Sequence, residues 1–296
     1  MSIRPVKRIV QAQPTMEGAG VKLHRAFGFG DTTEFDPFLL FDDFRGDIPE
    51  EYLAGFPWHP HRGIETITYV LAGTVDHGDS IGNRGTIEPG DLQWMTAGRG
   101  IIHQEMPHGD YLGRMHGFQL WGNLPSSLKM TAPHYQEVKA AEIPAATDDD
   151  GTRALVVAGE FWGAKGPVDG LAADPIYLDV SVPPNTRRSI SVDTSRHAFA
   201  YVFAGDGRFL NASDPREVPT DSVYGAATDA GNRSLVLFDS GDEITVETGD
   251  DGMRFLFVSG KPLKEPVAWY GPIVMNTRDE LQTAIRELNE GTFLKD

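Results

Sequence analysis

The sequence predicts an all-β protein of two similar halves with one terminal helix. Three observations carry that expectation. Short segments of β composition recur along the 296 residues without helical patterns between them, which suits a sandwich or barrel and not parallel βαβ units. The 33 glycines and 20 prolines are scattered and supply many turns. Landmarks of the first half also recur in the second. Tyr201-Val202-Phe203-Ala204-Gly205 echoes Tyr69-Val70-Leu71-Ala72-Gly73, and Phe238-Asp239-Ser240-Gly241-Asp242 echoes Ile87-Glu88-Pro89-Gly90-Asp91, a pattern that suggests two copies of one fold.

Residues 1–23 read as one or two opening strands around Val10 and Val21. The aromatic run Phe35–Phe44, bounded by acids and a proline, reads as a short strand buried on both faces. Arg45–Pro57 is a loop rich in acid, Gly and Pro. Ile64–Leu71 has strong β composition and ends at Ala72-Gly73. Thr74–His77, Thr86–Asp91, Leu92–Met95, Ile101–Glu105 and Arg114–Trp121 continue the series, with glycines at each bend. The pattern weakens from Leu124 to Asp150, which places a boundary near residue 140, with units 1–140 and 141–296. Strands resume from Arg153 and recur to Ser259. The last segment is helical. Thr277 and Glu280 have capping-box spacing, Leu281, Ile285 and Leu288 form an apolar stripe, and Gly291 supplies a stop. That stripe must bury against a barrel.

Composition excludes several classes. The formal net charge is −17, with no contiguous basic patch, which argues against nucleic-acid binding and against anionic membrane surfaces. There is no cysteine, so disulfides, thiolate metal sites and cysteine nucleophiles are out. The opening residues have no apolar signal core, and no apolar run is long enough to span a membrane. A soluble, cytoplasmic protein is the expectation.

The chemistry concentrates between Trp58 and Met106. His59 and His61 are separated by one residue, as are His103 and Glu105. On an extended strand, residues i and i+2 share a face, so two neighbouring strands would gather three imidazoles and a carboxylate. That donor set suits a divalent first-row metal and leaves positions open for chemistry; iron, manganese, nickel, copper and zinc all fit. The competing reading of the first pair is a surface loop around Pro60, and the second pair weighs against it. Glu65 shares parity with His61 and is a further candidate ligand. His108 reads as a loop residue. His116, in an apolar strand, reads as a core histidine or a pocket wall. His24, His77, His134 and His197 lack ligand-like neighbours and read as structural or surface residues.

The segments His59–Gly73 (H-P-H-R-G-I-E-T-I-T-Y-V-L-A-G), Pro89–Pro107 and Met115–Trp121 closely resemble the pirins, members of the cupin superfamily. Asp36–Phe44 and Trp269–Thr277 resemble pirin segments as well. The resemblance implies a bicupin: two antiparallel jelly-roll β-barrels with a short C-terminal helix. It implies one metal, usually iron, in the N-terminal barrel, held by His59, His61, His103 and Glu105 and not by Glu65. The second barrel lacks both pairs and should be free of metal. Two functions follow from the family. One is quercetin 2,3-dioxygenase activity, the O2-dependent opening of a flavonol ring with release of carbon monoxide, for which Glu105 would relay the hydroxyl proton. Phe56, Trp58 and Phe118 would line an apolar pocket for a flavonol-like aromatic, with Gln119 and His116 as polar contacts. The other is a non-enzymatic, iron-bound regulator that engages a protein partner. The family leans monomeric.

Overall fold

The computed structural model describes residues 2–211 and 229–295. Twelve strands run through the first half: β1 (Val6–Gln11), β2 (Gln13–Glu17), β3 (Val21–Phe27), β4 (Phe38–Asp43), β5 (Phe56–His61), β6 (Ile64–Ala72), β7 (Thr74–Asp79), β8 (Arg84–Ile87), β9 (Leu92–Thr96), β10 (Ile101–His108), β11 (His116–Asn123) and β12 (His134–Val138). Within the aromatic run, Phe38–Asp43 form β4, and all six of these residues are buried, as a strand covered on both faces requires; Phe35 instead ends a short helix, Thr32–Phe35. β12 lies where the sequence pattern weakened. It is an edge strand whose residues are mostly part-exposed, so its apolar signal is thin.

Two antiparallel sheets hold β2 to β12. The larger has the order β12-β9-β6-β11-β4-β3-β2, and the smaller the order β5-β10-β7-β8. Val21 and Leu23 of β3 and Val70 of β6 meet Val75 of β7 and Ile87 of β8 in one core cluster, so the two sheets pack face to face. A second cluster joins Leu39, Ile64 and Met95 of the larger sheet to Ile101 of the smaller. Along β10 the buried residues are Ile101, His103, Glu105 and Pro107, every second position. Burying one face of this strand therefore buries the chemical pair with it.

The two compact units differ from a division at residue 140. One comprises Gln13–Glu142, Gly170–Ala173 and Leu263–Asp296; the other comprises Met1–Ala12, Ile143–Asp169 and Asp174–Pro262. Both chain ends are exchanged. β1 leaves its sequence neighbours because it pairs with the strand Ser234–Phe238. The terminal helix Arg278–Glu290 leaves the second half because its apolar stripe needs cover. Ala284 is its buried centre, and Leu281 and Leu288 flank it against Ile273, Met275, Phe293 and Ile102 of β10. The expected stripe holds at Leu281 and Leu288, but Ala284 takes the place given to Ile285. The capping box between Thr277 and Glu280 and the left-handed Gly291 stop are both present.

The second unit is built on a nine-stranded antiparallel sheet whose long strands, His197–Phe209 and Glu243–Gly260, bend at bulges. Its interior is filled by apolar side chains, among them Phe209, Phe238 and Phe255 with ring centroids 5.3 and 5.5 Å apart. Sheet and helix content make the chain all-β, the class expected of a bicupin. Among the described residues no helix is long and apolar enough to cross a membrane.

Candidate metal centre

β5 and β10 are antiparallel neighbours, and His59 stands directly opposite His103 in their register. His61 follows at i+2 on β5. The three rings come together with centroid separations of 4.4 Å (His59–His103), 4.8 Å (His59–His61) and 5.0 Å (His61–His103). One ligand nitrogen from each lies within 4.8 Å of the others, and this is the single cluster of that kind among the described residues. A register shift between His103 and Glu105 sets Glu105 opposite Phe56. Its Oε2 still lies 4.0 Å from His103 Nε2. The four residues singled out from the sequence thus lie in one region, three as a tight cluster and Glu105 at its margin.

The imidazoles are prepared as lone-pair donors. His59 Nδ1 lies 2.9 Å from the carbonyl of Pro57. A carbonyl can only accept, so Nδ1 carries the proton of neutral His59 and Nε2 is left bare. That Nε2 lies 3.0 Å from His61 Nε2. His103 is 1% exposed, and among the described residues neither of its ring nitrogens has a hydrogen-bond partner. Burying two polar atoms without partners is costly, and a divalent ion would remove the deficit at one of them. The residues present fit a metal.

Burial, reinforced by the neighbouring imidazoles, pushes His61 and His103 well below the ordinary imidazole range. Both stay neutral and available at mildly acidic pH. An unfolded chain takes up these protons near pH 6.5 and the folded chain does not, so protons favour the unfolded state. The metal-free protein is therefore expected to lose stability as pH falls below about 6.5. Thermal melting of the chelator-treated protein across that range checks it; a melting temperature that holds or rises in acid would contradict the assignment.

A row of polar side chains crosses the larger sheet beneath this cluster. Arg25 on β3 faces Asp42 on β4, Asp42 faces Gln119 on β11, Gln119 faces Thr68 on β6, and Thr68 faces Gln93 on β9. Register partners in an antiparallel ladder point to the same face, so the row is continuous. Glu105 rests on its middle. Thr68 Oγ1 donates to Glu105 Oε1 at 2.9 Å, and Gln119 Nε2 donates to Glu105 Oε2 at 3.2 Å. Glu65 belongs elsewhere. Its Oε1 accepts from Thr96 Oγ1 at 2.9 Å, and burial raises its pKa.

A cavity of about 610 Å³ opens onto His59, His61 and Glu105, within the range usual for small-molecule sites. Leu23, Leu40, Phe44, Phe56 and Trp121 form its apolar wall; Gln119, Thr68, Asp42 and Arg25 bring polar groups to it. Phe56 and Gln119 stand where the sequence suggested. Phe118 does not line the cavity. It is fully buried against Phe41, 5.8 Å away between centroids, because residues 118 and 120 face opposite to 119 and 121. Trp121 takes the role given to Phe118. Trp58 is 52% exposed and does not line the cavity. His116 packs edge-on against Phe118 at 5.0 Å. His108 ends β10 and does not lie in a loop; its Nε2 is 3.1 Å from Asp76 Oδ2. His77 is buried beside Gln93 and Glu137. Thr68, Asp42 and Arg25 were missed. Two-residue parity from Gln119 would have selected Trp121, but pairing across strands needs the register.

Residues 20–122 match the family described as Pirin, and residues 177–294 match the Pirin C-terminal cupin domain. A pirin-like protein of Caulobacter vibrioides is 43% identical over 294 residues, covering 99% of this chain and 100% of its own length. Pirin of Homo sapiens is 39% identical over 290 residues, covering 96% and 92%. The crystal structure of a quercetin 2,3-dioxygenase from Acinetobacter baumannii superposes with a TM-score of 0.85 at 30% identity, covering 98% of both chains. With both halves matched in sequence and the two cupin units present in the structure, the chain belongs to the pirin family.

Proposed function

We propose that this protein is a metal-dependent dioxygenase of the quercetin 2,3-dioxygenase type, with His59, His61, His103 and Glu105 holding one divalent metal. The observation that carries the proposal is the junction of the His cluster with a largely apolar cavity of about 610 Å³. The name of the Acinetobacter structure agrees with it. Iron is the first candidate by family resemblance, and manganese, nickel, copper and zinc also suit the donor set. When bound, the metal supplies Lewis acidity toward a substrate hydroxyl and, for a redox-active ion, a route for electrons to O2.

The chain's own residues do the rest. Phe56, Trp121, Phe44 and the leucines hold a flat aromatic ligand and exclude water from it. Glu105 accepts the hydroxyl proton. Its surroundings allow this, because Thr68 Oγ1 lies 2.9 Å from both Glu105 Oε1 and Gln119 Oε1. Thr68 has a single hydroxyl proton, so it serves one acceptor at a time. While Glu105 is ionised, Thr68 donates to it. Once Glu105 carries a proton on Oε1, that proton points to Thr68, and the Thr68 hydroxyl turns to Gln119. Proton uptake at Oε1 thus switches the acceptor that Thr68 serves from Glu105 to Gln119.

Anaerobic reconstitution with each candidate metal, followed by quercetin and O2, tests the proposal. Carbon monoxide in proportion to quercetin consumed is the expected result, and none above the metal-free control would overturn it. Thr68→Val keeps shape and deletes the hydroxyl that orients Glu105. Metal affinity is expected to fall about tenfold, as for other groups that orient ligands; competition with a chromophoric chelator reads it.

A further inference from the structure

We infer that the Asp42 carboxylate, braced by Arg25 in the cavity wall, is a subsite for a hydroxyl group of the ligand, which makes the ligand class an uncharged polyhydroxylated aromatic. The inference rests on the cavity taking a flavonol-like molecule and adds which feature of that molecule is recognised.

Asp42 is 5% exposed and yet lines the cavity. Arg25 grips it with both arms, Nε to Oδ1 at 2.8 Å and Nη2 to Oδ2 at 2.7 Å, while Arg25 Nη1 reaches Glu17 at 2.8 Å. Each carboxylate oxygen accepts about two hydrogen bonds. Arg25 uses one on each, so Asp42 retains an acceptor position on both oxygens. Arg25 spends one N–H of each nitrogen on Asp42 and Glu17 and keeps two of its five, while Glu17 adds further acceptor positions beside those of Asp42. What this corner offers a ligand is therefore acceptors more than donors.

Charge points the same way. With Glu105 counted with the metal it would hold, this corner of the lining sets the carboxylates of Glu17 and Asp42 against the one guanidinium of Arg25. An anionic tail placed there would meet like charge in a poorly hydrated space. A hydroxyl meets an acceptor and brings no charge. Burial pushes the Asp42 carboxyl up to about 6 against the pull of Arg25, with Glu17 and Asp43 adding in the same upward sense. At neutral pH it is an ionised group short of water, which gains from a donor.

Position links the subsite to the reacting end. Asp42 stands directly across from Gln119, which donates to Glu105. Adjacent strands lie about 4.8 Å apart, so one fused aromatic ligand can reach both carboxylates. A merely structural Arg25–Asp42 pair would influence stability and leave ligand preference untouched.

Binding of quercetin and of 3-hydroxyflavone, which lacks every hydroxyl but the one at position 3, separates the two. Fluorescence titration of the zinc-loaded protein without O2 reads affinity with no turnover. Wild type is expected to favour quercetin about tenfold, the worth of one charge-assisted hydrogen bond. Asp42→Asn is expected to erase that preference, so that the ratio of the two affinities falls about tenfold. Equal binding of the two by wild type, or a preference that survives Asp42→Asn, overturns the subsite and leaves the proposed activity standing. Failure of both flavonols to bind overturns the two together. If Asp42→Asn does not fold, a quercetin carrying a sulfonate decides on wild type. Affinity at least about tenfold weaker than for quercetin supports the subsite, and anything closer overturns it.

Discussion

His103→Leu is expected to abolish tight metal binding while leaving the metal-free fold at least as stable as wild type. The two halves of that expectation have one cause. His103 is 1% exposed, and both ring nitrogens lack hydrogen-bond partners among the described residues. A buried polar atom without a partner costs roughly 1–3 kcal/mol, and replacing it with an apolar group of similar shape is close to neutral or stabilising. Leucine retains most of the packing and discards the deficit. The proposed metal centre would lose the ligand that stands opposite His59 in the strand register. Since groups that only orient a ligand are worth about 10–100-fold in affinity, loss of a ligand should exceed about a hundredfold. Elemental analysis and thermal melting with and without metal read both halves. Wild type should gain melting temperature on loading, because a ligand that binds only the native state stabilises it; the variant should not. A variant that still binds one metal per chain tightly would remove His103 from the ligand set.

Lys129→Met is expected to destabilise the unit that holds the site by about 3 kcal/mol, the scale of hydrogen bonds to a buried charged group. Lys129 is 2% exposed and lies after β11. Its Nζ donates to the Gly63 carbonyl at 2.8 Å, to Asn123 Oδ1 at 2.8 Å and to the Val274 carbonyl at 2.9 Å. Burial pushes its pKa down to about 7, but three acceptors call for three protons, and only the ammonium has them. Methionine keeps the length of the stem and strands all three acceptors. The contact matters to the centre because Gly63 follows His61 by two residues. The backbone at Gly63 has φ +77°, and a Cβ there would come within 1.9 Å of the Val274 carbonyl oxygen. Glycine admits this close approach, and Lys129 fastens it. Loosening it should also weaken metal binding about tenfold, the scale of lost support around a ligand. Denaturant unfolding and a chelator competition measure the two effects; an unfolding midpoint within error of wild type would show that water replaces the ammonium at no cost.

Arg62, next to His61, ties the terminal helix to the same region. Its Nη1 donates to Glu287 Oε2 at 2.7 Å, its Nη2 to the Phe293 carbonyl at 2.7 Å, and its Nε to the Arg99 carbonyl at 2.6 Å. Nothing in the local sequence around His61 announces these partners, which lie more than two hundred residues further on in two cases. The same distance hides from the local sequence which unit the helix packs in. An apolar stripe at helical spacing says that a face must be covered, and it does not say by what.

What the sequence determined by itself is local and periodic. Glycines, prolines and β-branched runs set the strands; i, i+2 parity put His59 with His61 and His103 with Glu105; a capping box and a left-handed glycine bounded the helix. The resemblance at His59–Gly73 and Pro89–Pro107 named the family correctly. Tertiary structure decided everything that depends on which strand lies beside which. It set His59 opposite His103, made Phe118 core and Trp121 cavity wall, and aligned Arg25, Asp42, Gln119 and Thr68 into one polar row beneath Glu105. It also exchanged the chain ends between the two units. The physical reason is that side-chain periodicity fixes the face on which a residue lies within its own strand, whereas pairing between strands is fixed by burial of whole faces and by backbone hydrogen bonds shared across distant segments.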